Sequence, residues 1–132
     1  LKVDRRRIRE ATAEAVRRFE VMGVRGPQQK AGLLSGGNAQ KLVIAREFSG
    51  KPSLIVAHSP SRGLDIRAAA AVHDHLRSAR DRGAGVILIS EDLDEILLLS
   101  DRIGVMSRGS IVAEFDAPGD RQAIGKAMIG HG

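Results

Sequence analysis

Leu34-Ser35-Gly36-Gly37-Asn38-Ala39-Gln40, running into Lys41 and an apolar pattern of helical period, decides how the rest of the chain is read. A serine, two glycines and an amide residue at the mouth of a helix form an anion cradle. Glycine lets the backbone approach a phosphate closely. The first helical turn offers N–H groups without intrahelical partners, and the positive end of the helix dipole lies behind them. A Gly-Gly pair before a helix is also an ordinary turn, so this stretch needs support from residues elsewhere.

The helix is expected to run from just after Gly37 to about Phe48, with Leu42, Ala45 and Phe48 inward and Gly50 stopping it. Leu54 to Ala57, between Pro52 and Pro60, suits a short strand buried on both faces. A helix from about Ile66 to Arg82 carries Ile66, Ala70, His73, Leu76 and Ala79 on one stripe, and Gly83 and Gly85 end it. Val86 to Ile89 reads as a second buried strand and Glu91 to Leu99 as a short helix. Arg102 to Met106 follows as a strand, and Arg108-Gly109 turns it into Ile111 to Phe115. Upstream, Asp4 is placed to cap a helix reaching about Phe19, with Ile8, Ala11, Ala15 and Phe19 at helical spacing; Gly23 and Gly26-Pro27 break it. Strands alternating with helices predict an α/β fold, a mostly parallel sheet with flanking helices and an antiparallel edge hairpin.

The Leu-Ser-Gly-Gly-Asn run resembles the signature motif of ATP-binding-cassette (ABC) ATPases. Leu54-Ile55-Val56-Ala57-His58-Ser59-Pro60 resembles that family's Walker B strand, and Ser61-Arg62-Gly63-Leu64-Asp65 its D-loop. Val86-Ile87-Leu88-Ile89-Ser90-Glu91 sits where the switch-histidine strand belongs. Ser100-Asp101-Arg102-Ile103 through Gly109 and Ile111 resembles the closing strand pair, and Ile124-Gly125 with Met128 the tail of sugar-type importers. Asn38, where many members carry Gln, and the Arg-Gly-Leu-Asp wording are similar to the simple-sugar and nucleoside importers with tandem cassettes. The resemblance implies a partial P-loop NTPase fold, the C-terminal half of a second cassette. Residues 1–34 would end a helical subdomain, 35–116 would form the rear of the ATP-binding core, and 117–132 a tail helix.

By the same resemblance, Ser35, Gly36, Gly37 and Asn38 would face the terminal phosphate of ATP held by the partner cassette, and Asp65 would make D-loop contacts. Hydrolysis needs Gly-x-x-x-x-Gly-Lys-Ser/Thr to wrap the phosphates and hold magnesium. The chain has no such run: Gly50-Lys51 leads into Pro52, and Gly119 and Gly125-Lys126 are spaced a residue too far and lead into Ala127. The loop would lie upstream of Leu1, and the family's glutamine loop with it. The matched half-site is degenerate. The family places Asp at His58, Glu at Ser59 and His at Glu91. Imidazole is a poor ligand for a hard cation that takes carboxylate oxygen. A serine hydroxyl has no basicity near neutral pH without a base of its own, and Glu91 brings negative charge to a phosphate. ATP with Mg2+ is therefore expected mainly from the partner cassette, and none on this chain alone.

Composition sets the outer limits. Among 132 residues, 42% apolar and 28% charged content excludes a wholly disordered chain, and 2% aromatic content leaves a core of Leu, Ile, Val and Ala. With no cysteine, disulfides and thiolate zinc sites are excluded. No apolar run approaches the ~20 residues a membrane helix needs. The net charge of +5 gathers at Arg5-Arg6-Arg7, Arg9, Arg17 and Arg18, which read either as a solvated helix face or as a surface for phosphate-rich partners or anionic lipid. Without interleaved aromatics there is no base-stacking platform, and nucleic acid is not an expected partner. His73 and His75 fall on different faces of one helix, and no metal is expected with them, His58 or His131. Glu91, Asp92, Asp94 and Glu95 read as a helix start.

The resemblance implies an ATP-binding subunit of an importer for simple sugars or nucleosides. Its partners would be a second cassette and transmembrane permease subunits, at the cytoplasmic face of the cell membrane. Open strand edges add self-association to the expectations. The alternatives are a soluble ABC-type ATPase of DNA repair or translation, and a non-catalytic interaction module.

Overall fold

Aspartates start four of the helices. Asp4 accepts hydrogen bonds from the amides of Arg6 and Arg7 and opens α1 (Arg5–Arg18). Asp65 accepts from Ala68 and opens α3 (Ile66–Asp81). Asp92 accepts from Asp94 and Glu95 before α4 (Leu93–Leu99), and Asp120 accepts from Gln122 and Ala123 before α5 (Arg121–Ile129). Each carboxylate satisfies amides that the helix cannot, next to the positive end of its dipole. The remaining helix, α2 (Gly36–Ser49), begins at Ser35 with no side chain capping it. The computed structural model describes residues 4–130; His131 and the outermost residues of segments 1–34 and 117–132 lie outside them.

The chain divides into two units, Leu1–Ile55 with Ser61–Gly85, and Val56–Pro60 with Val86–Gly132. In the first, α2 packs against both α1 and α3. Phe19, Val21, Ala45, Phe48, Ala68, Val72, Leu76 and Ala79 are its buried side chains. The expected stripes shift here. Helix α1 buries none of its own residues, and Ile8 is 54% exposed. On α3 the buried row is Ala68, Val72, Leu76 and Ala79, whereas Ile66 is 89% exposed and Ala70 is also open. The alanine run from 68 to 71 fits either phase of a 3.6-residue period, so only packing distinguishes Ala68 from Ala70.

In the second unit, β3 (Arg102–Ser107) pairs antiparallel with β4 (Ser110–Asp116), from Arg102 opposite Asp116 to Ser107 opposite Ser110. Arg108 and Gly109 make the two-residue turn with φ of +49° and +83°, the left-handed pair that matches strand twist. Val105 opposes Ala113 and Met106 opposes Ile111, which leaves Val112 as a bulge. Ile103, Val105 and Ile124 form the core, covered by Leu97, Phe115 and neighbours from α4 and α5. Helix α4 begins at Leu93, two residues later than Glu91, because Asp92 takes the capping position. Glu95 is buried in its first turn.

β1 (Leu54–His58) pairs with β2 (Gly85–Ile89) as a second, separate two-stranded sheet. The Gly85 amide donates to the Ser53 carbonyl at 2.8 Å and the Ser59 amide to Ile89 at 2.8 Å. Both chains advance in the same direction between these bonds, so the pair is parallel. The expectation of strands buried on both faces fails. Leu54, Val56, Ile87 and Ile89 are 57%, 60%, 50% and 50% exposed. Two strands have no lateral neighbours, and alternate side chains on one face are left uncovered among the described residues.

One half-buried histidine packs against the first unit's core. The His75 ring lies 4.3 Å from the Phe19 ring and 5.8 Å from that of Phe48, centroid to centroid. Burial holds its pKa below the ordinary 6.5; Arg18 and Arg82 push the same way and Asp74 opposes them. The unfolded chain thus takes up a proton at His75 as pH falls through about 6.5, while the folded chain resists. Stability is full above that value, and part of it is lost as pH drops toward the lowered folded value. Urea unfolding at pH about 7.5 and about 5.5 is expected to show this loss, and His75→Phe to show a smaller one. Equal losses in both proteins would refute the assignment.

Candidate functional site

The mouth of α2 is open. Ser35 and Gly36 are exposed, and a Cβ placed on Gly36 meets no atom within 4 Å. On Gly37 it meets only the Leu64 side chain, at 3.7 Å. Ser35 has the extended backbone of an N-cap, φ −62° and ψ 155°, and its carbonyl takes the first helical bond from Ala39 at 2.8 Å. Its hydroxyl is turned away from the helix amides. The Ser35 Oγ instead accepts from the Asn38 side-chain nitrogen at 2.9 Å. The first-turn amides, with the helix dipole behind them, therefore lack the side-chain acceptor that the other four α-helices carry among the described residues.

The D-loop stretch lies in the same unit. Leu64 reaches the Gly37 turn, and Asp65 follows it. The Asp65 carboxylate is occupied as the α3 cap, accepting from the Ala68 amide at 2.8 Å. This structural duty was not foreseen in the sequence, although Asp followed by an apolar helical run is a cap signal. Asp65 also borders a cavity of about 570 Å3 shared with Arg18, Lys41, Arg67 and His75.

His58, Ser59 and Glu91 belong to the other unit. His58 ends β1 and is exposed. Ser59 leaves the strand with a left-handed backbone, φ +45°, and its amide is held by the Ile89 carbonyl. Glu91 comes two residues after Ile89, so all three lie at the same end of the β1–β2 pair. An imidazole and a hydroxyl are poor ligands for a hard cation such as magnesium, which takes carboxylate oxygen. The mouth of α2, by contrast, has open space at Gly36 and backbone donors without a side-chain acceptor.

This chain is 48% identical over 125 residues to the glucose import ATP-binding protein of Haloferax volcanii, covering 92% of the chain and 23% of that relative. It is 40% identical over 129 residues to the nucleoside import ATP-binding protein of Lactococcus lactis, covering 97% of the chain and 25% of the relative. The chain belongs to the ATP-binding-cassette ATPases. Its fold matches that of a dimeric ATP-binding cassette in a post-hydrolysis state bound to ADP and Pi, with a TM-score of 0.75 at 22% identity, over 91% of this chain and 51% of that one. No protein-family model matches the chain. As a cassette segment it spans about a quarter of the curated relatives' length. Among the described residues no helix is long and apolar enough to cross a membrane.

Proposed function

We propose that this ABC segment supplies one face of a composite ATP site, presenting the amides of Gly36 and Gly37 and the Ser35 hydroxyl to the terminal phosphate of ATP gripped by a partner cassette. The observation that carries this reading is the uncapped, unobstructed mouth of α2. Asn38 shapes that mouth, and Asp65 belongs to the loop beside it. Residues 1–34 are read as the end of a helical subdomain, 35–116 as the rear of the ATP core and 117–132 as its tail.

His58, Ser59 and Glu91 make the segment's own catalytic half inactive, because none supplies the cation ligand, the base or the phosphate-facing imidazole that hydrolysis calls for. ATP and Mg2+ then act at the opposite site, held by the partner. The whole protein is read as the ATP-driven subunit of an importer for a simple sugar or nucleoside. It would work with permease subunits at the cytoplasmic face of the membrane, in keeping with its glucose- and nucleoside-import relatives.

Titrating the 132-residue chain alone with ATP is expected to show no saturation at micromolar nucleotide and no phosphate release, since the P-loop run is absent from it. Micromolar binding or turnover by this chain would overturn the proposal. Salt-sensitive binding of nucleic acid by the full-length protein would favour a DNA-repair or translation ATPase instead.

A further inference from the structure

Asn38 and Lys41 stand three residues apart on one face of α2, and both reach back to the turn that follows α1. The Lys41 Nζ donates to the Glu20 carbonyl at 3.3 Å. The Met22 amide donates to the Asn38 Oδ1 at 2.8 Å. Between these two tethers Val21 is buried, 4% exposed, and Glu20 has a left-handed backbone, φ +50°. The turn is thus held at both ends by α2 and seated on the core between them.

This arrangement fixes the direction of every bond at the signature serine. A backbone N–H only donates, so Met22 requires the oxygen of the Asn38 amide on its side. The Asn38 nitrogen must then face Ser35, and being a donor it obliges the Ser35 Oγ to accept. A hydroxyl that accepts one bond keeps its proton for another acceptor. That proton cannot be given to the Asn38 NH2 group, so it is left for a group outside the turn.

We propose that Asn38 is a positioning residue: through the Met22 amide it couples the turn after α1 to the Ser35 hydroxyl and holds that hydroxyl as a donor toward phosphate. It does not itself touch the nucleotide. A displacement of the turn would release the amide, let the Ser35 proton rotate onto Asn38 oxygen, and so withdraw one donor from the site. This inference rests on the reading of the α2 mouth given above, and names the residue that regulates it.

The test is a double-mutant cycle in the full-length protein assembled with its partner cassette. Binding of a fluorescent ATP analogue is measured without magnesium, so that no turnover intervenes, and hydrogen exchange at Met22 is followed in parallel. Ser35→Ala and Asn38→Ala are each expected to weaken binding about ten- to a hundredfold, the worth of one hydrogen bond to a charged acceptor. The double variant is expected to be no weaker than Ser35→Ala, and Met22 exchange to accelerate only where Asn38 is replaced. If Asn38→Ala fails to fold, Asn38→Gln carries the same cycle, and any loss it brings is expected to vanish in the Ser35→Ala background. Losses that multiply in the double variant, or an Asn38→Ala protein that binds as the wild type does, overturn the coupling alone. A Ser35→Ala protein of wild-type affinity overturns the coupling together with the phosphate-facing reading.

Discussion

Gly36→Asp in the full-length, assembled protein is expected to abolish most ATP turnover while leaving the fold as stable as before or slightly more so. The two effects have separate physical origins at the same atom. Gly36 is the first residue of α2, its φ is not positive, and a Cβ there meets nothing within 4 Å. The substitution therefore brings neither a clash nor backbone strain. A carboxylate in the first turn interacts favourably with the helix dipole, by about 0.3–1 kcal/mol, and alanine-like β-carbon substitution for glycine lowers the entropy of the unfolded chain. Toward a nucleotide the same carboxylate is repulsive, and it occupies the space through which the amides reach phosphate. Loss of one oxyanion donor alone reduces turnover by about 10²–10³, and an added negative charge raises that figure.

Thermal melting and phosphate-release assays on the same preparation read both effects. Opposite signs for stability and turnover identify Gly36 as exposed to a ligand. A variant that keeps full turnover would mean that the α2 mouth takes no part in hydrolysis and that this segment acts as an interaction module. A variant that loses both would show that packing at the α2 mouth differs from the open geometry described.

The parts of this molecule that were legible in the sequence are those set by local chemistry. Asp4, a helix-capping residue before a helical apolar pattern, opens α1 as expected, and Arg108-Gly109 makes the tight turn that its dipeptide favours. Helix α2 ends at Ser49 before Gly50, close to the expected Phe48, but it starts at Gly36, ahead of the start expected just after Gly37. What the sequence concealed is non-local. Ile66 reads as core by type and period, yet it sits at the start of α3 and is almost fully exposed. The strands β1 and β2 have the continuous apolar character of a sheet covered on both sides, and the described chain covers one. Residue types respond to the complete environment, and this chain spans about a quarter of the relatives' length. At the candidate site, the donors at 35–38 were readable from their types. The Met22 link was not, because a contact across sixteen residues leaves no spacing signal. The place of His75 beside the Phe19 ring was equally unreadable, since its spacing assigned it only a position on the α3 helix and no metal.

The same contrast between residue type and environment gives the largest expected effect on stability. Ile124 is 1% exposed and completes the core of the second unit with Ile103 and Val105. Ile124→Ala removes its buried carbons and leaves a cavity, which costs about 2–5 kcal/mol in denaturant unfolding of the 132-residue chain. Ile66→Ala, chemically identical but on an open surface, is expected within about 0.5 kcal/mol of wild type. The cavity is also specific in shape. A Cβ on Gly119 would stand 2.7 Å from the Ile124 Cδ1, with the Ile103 Cδ1 at 3.3 Å and the Leu97 Cδ2 at 3.5 Å closing the other sides. The buried Ile124 terminal methyl has to shift to admit the added carbon, so Gly119→Ala is destabilising by about 1 kcal/mol. Once Ile124 is truncated, the added methyl enters the space it vacates. Gly119→Ala with Ile124→Ala is therefore expected to lose less than the sum of the two single losses, with a coupling of about 1 kcal/mol or more. Strict additivity in that cycle would mean that Gly119 and Ile124 do not meet, and the hairpin would then close over its helix by some other packing.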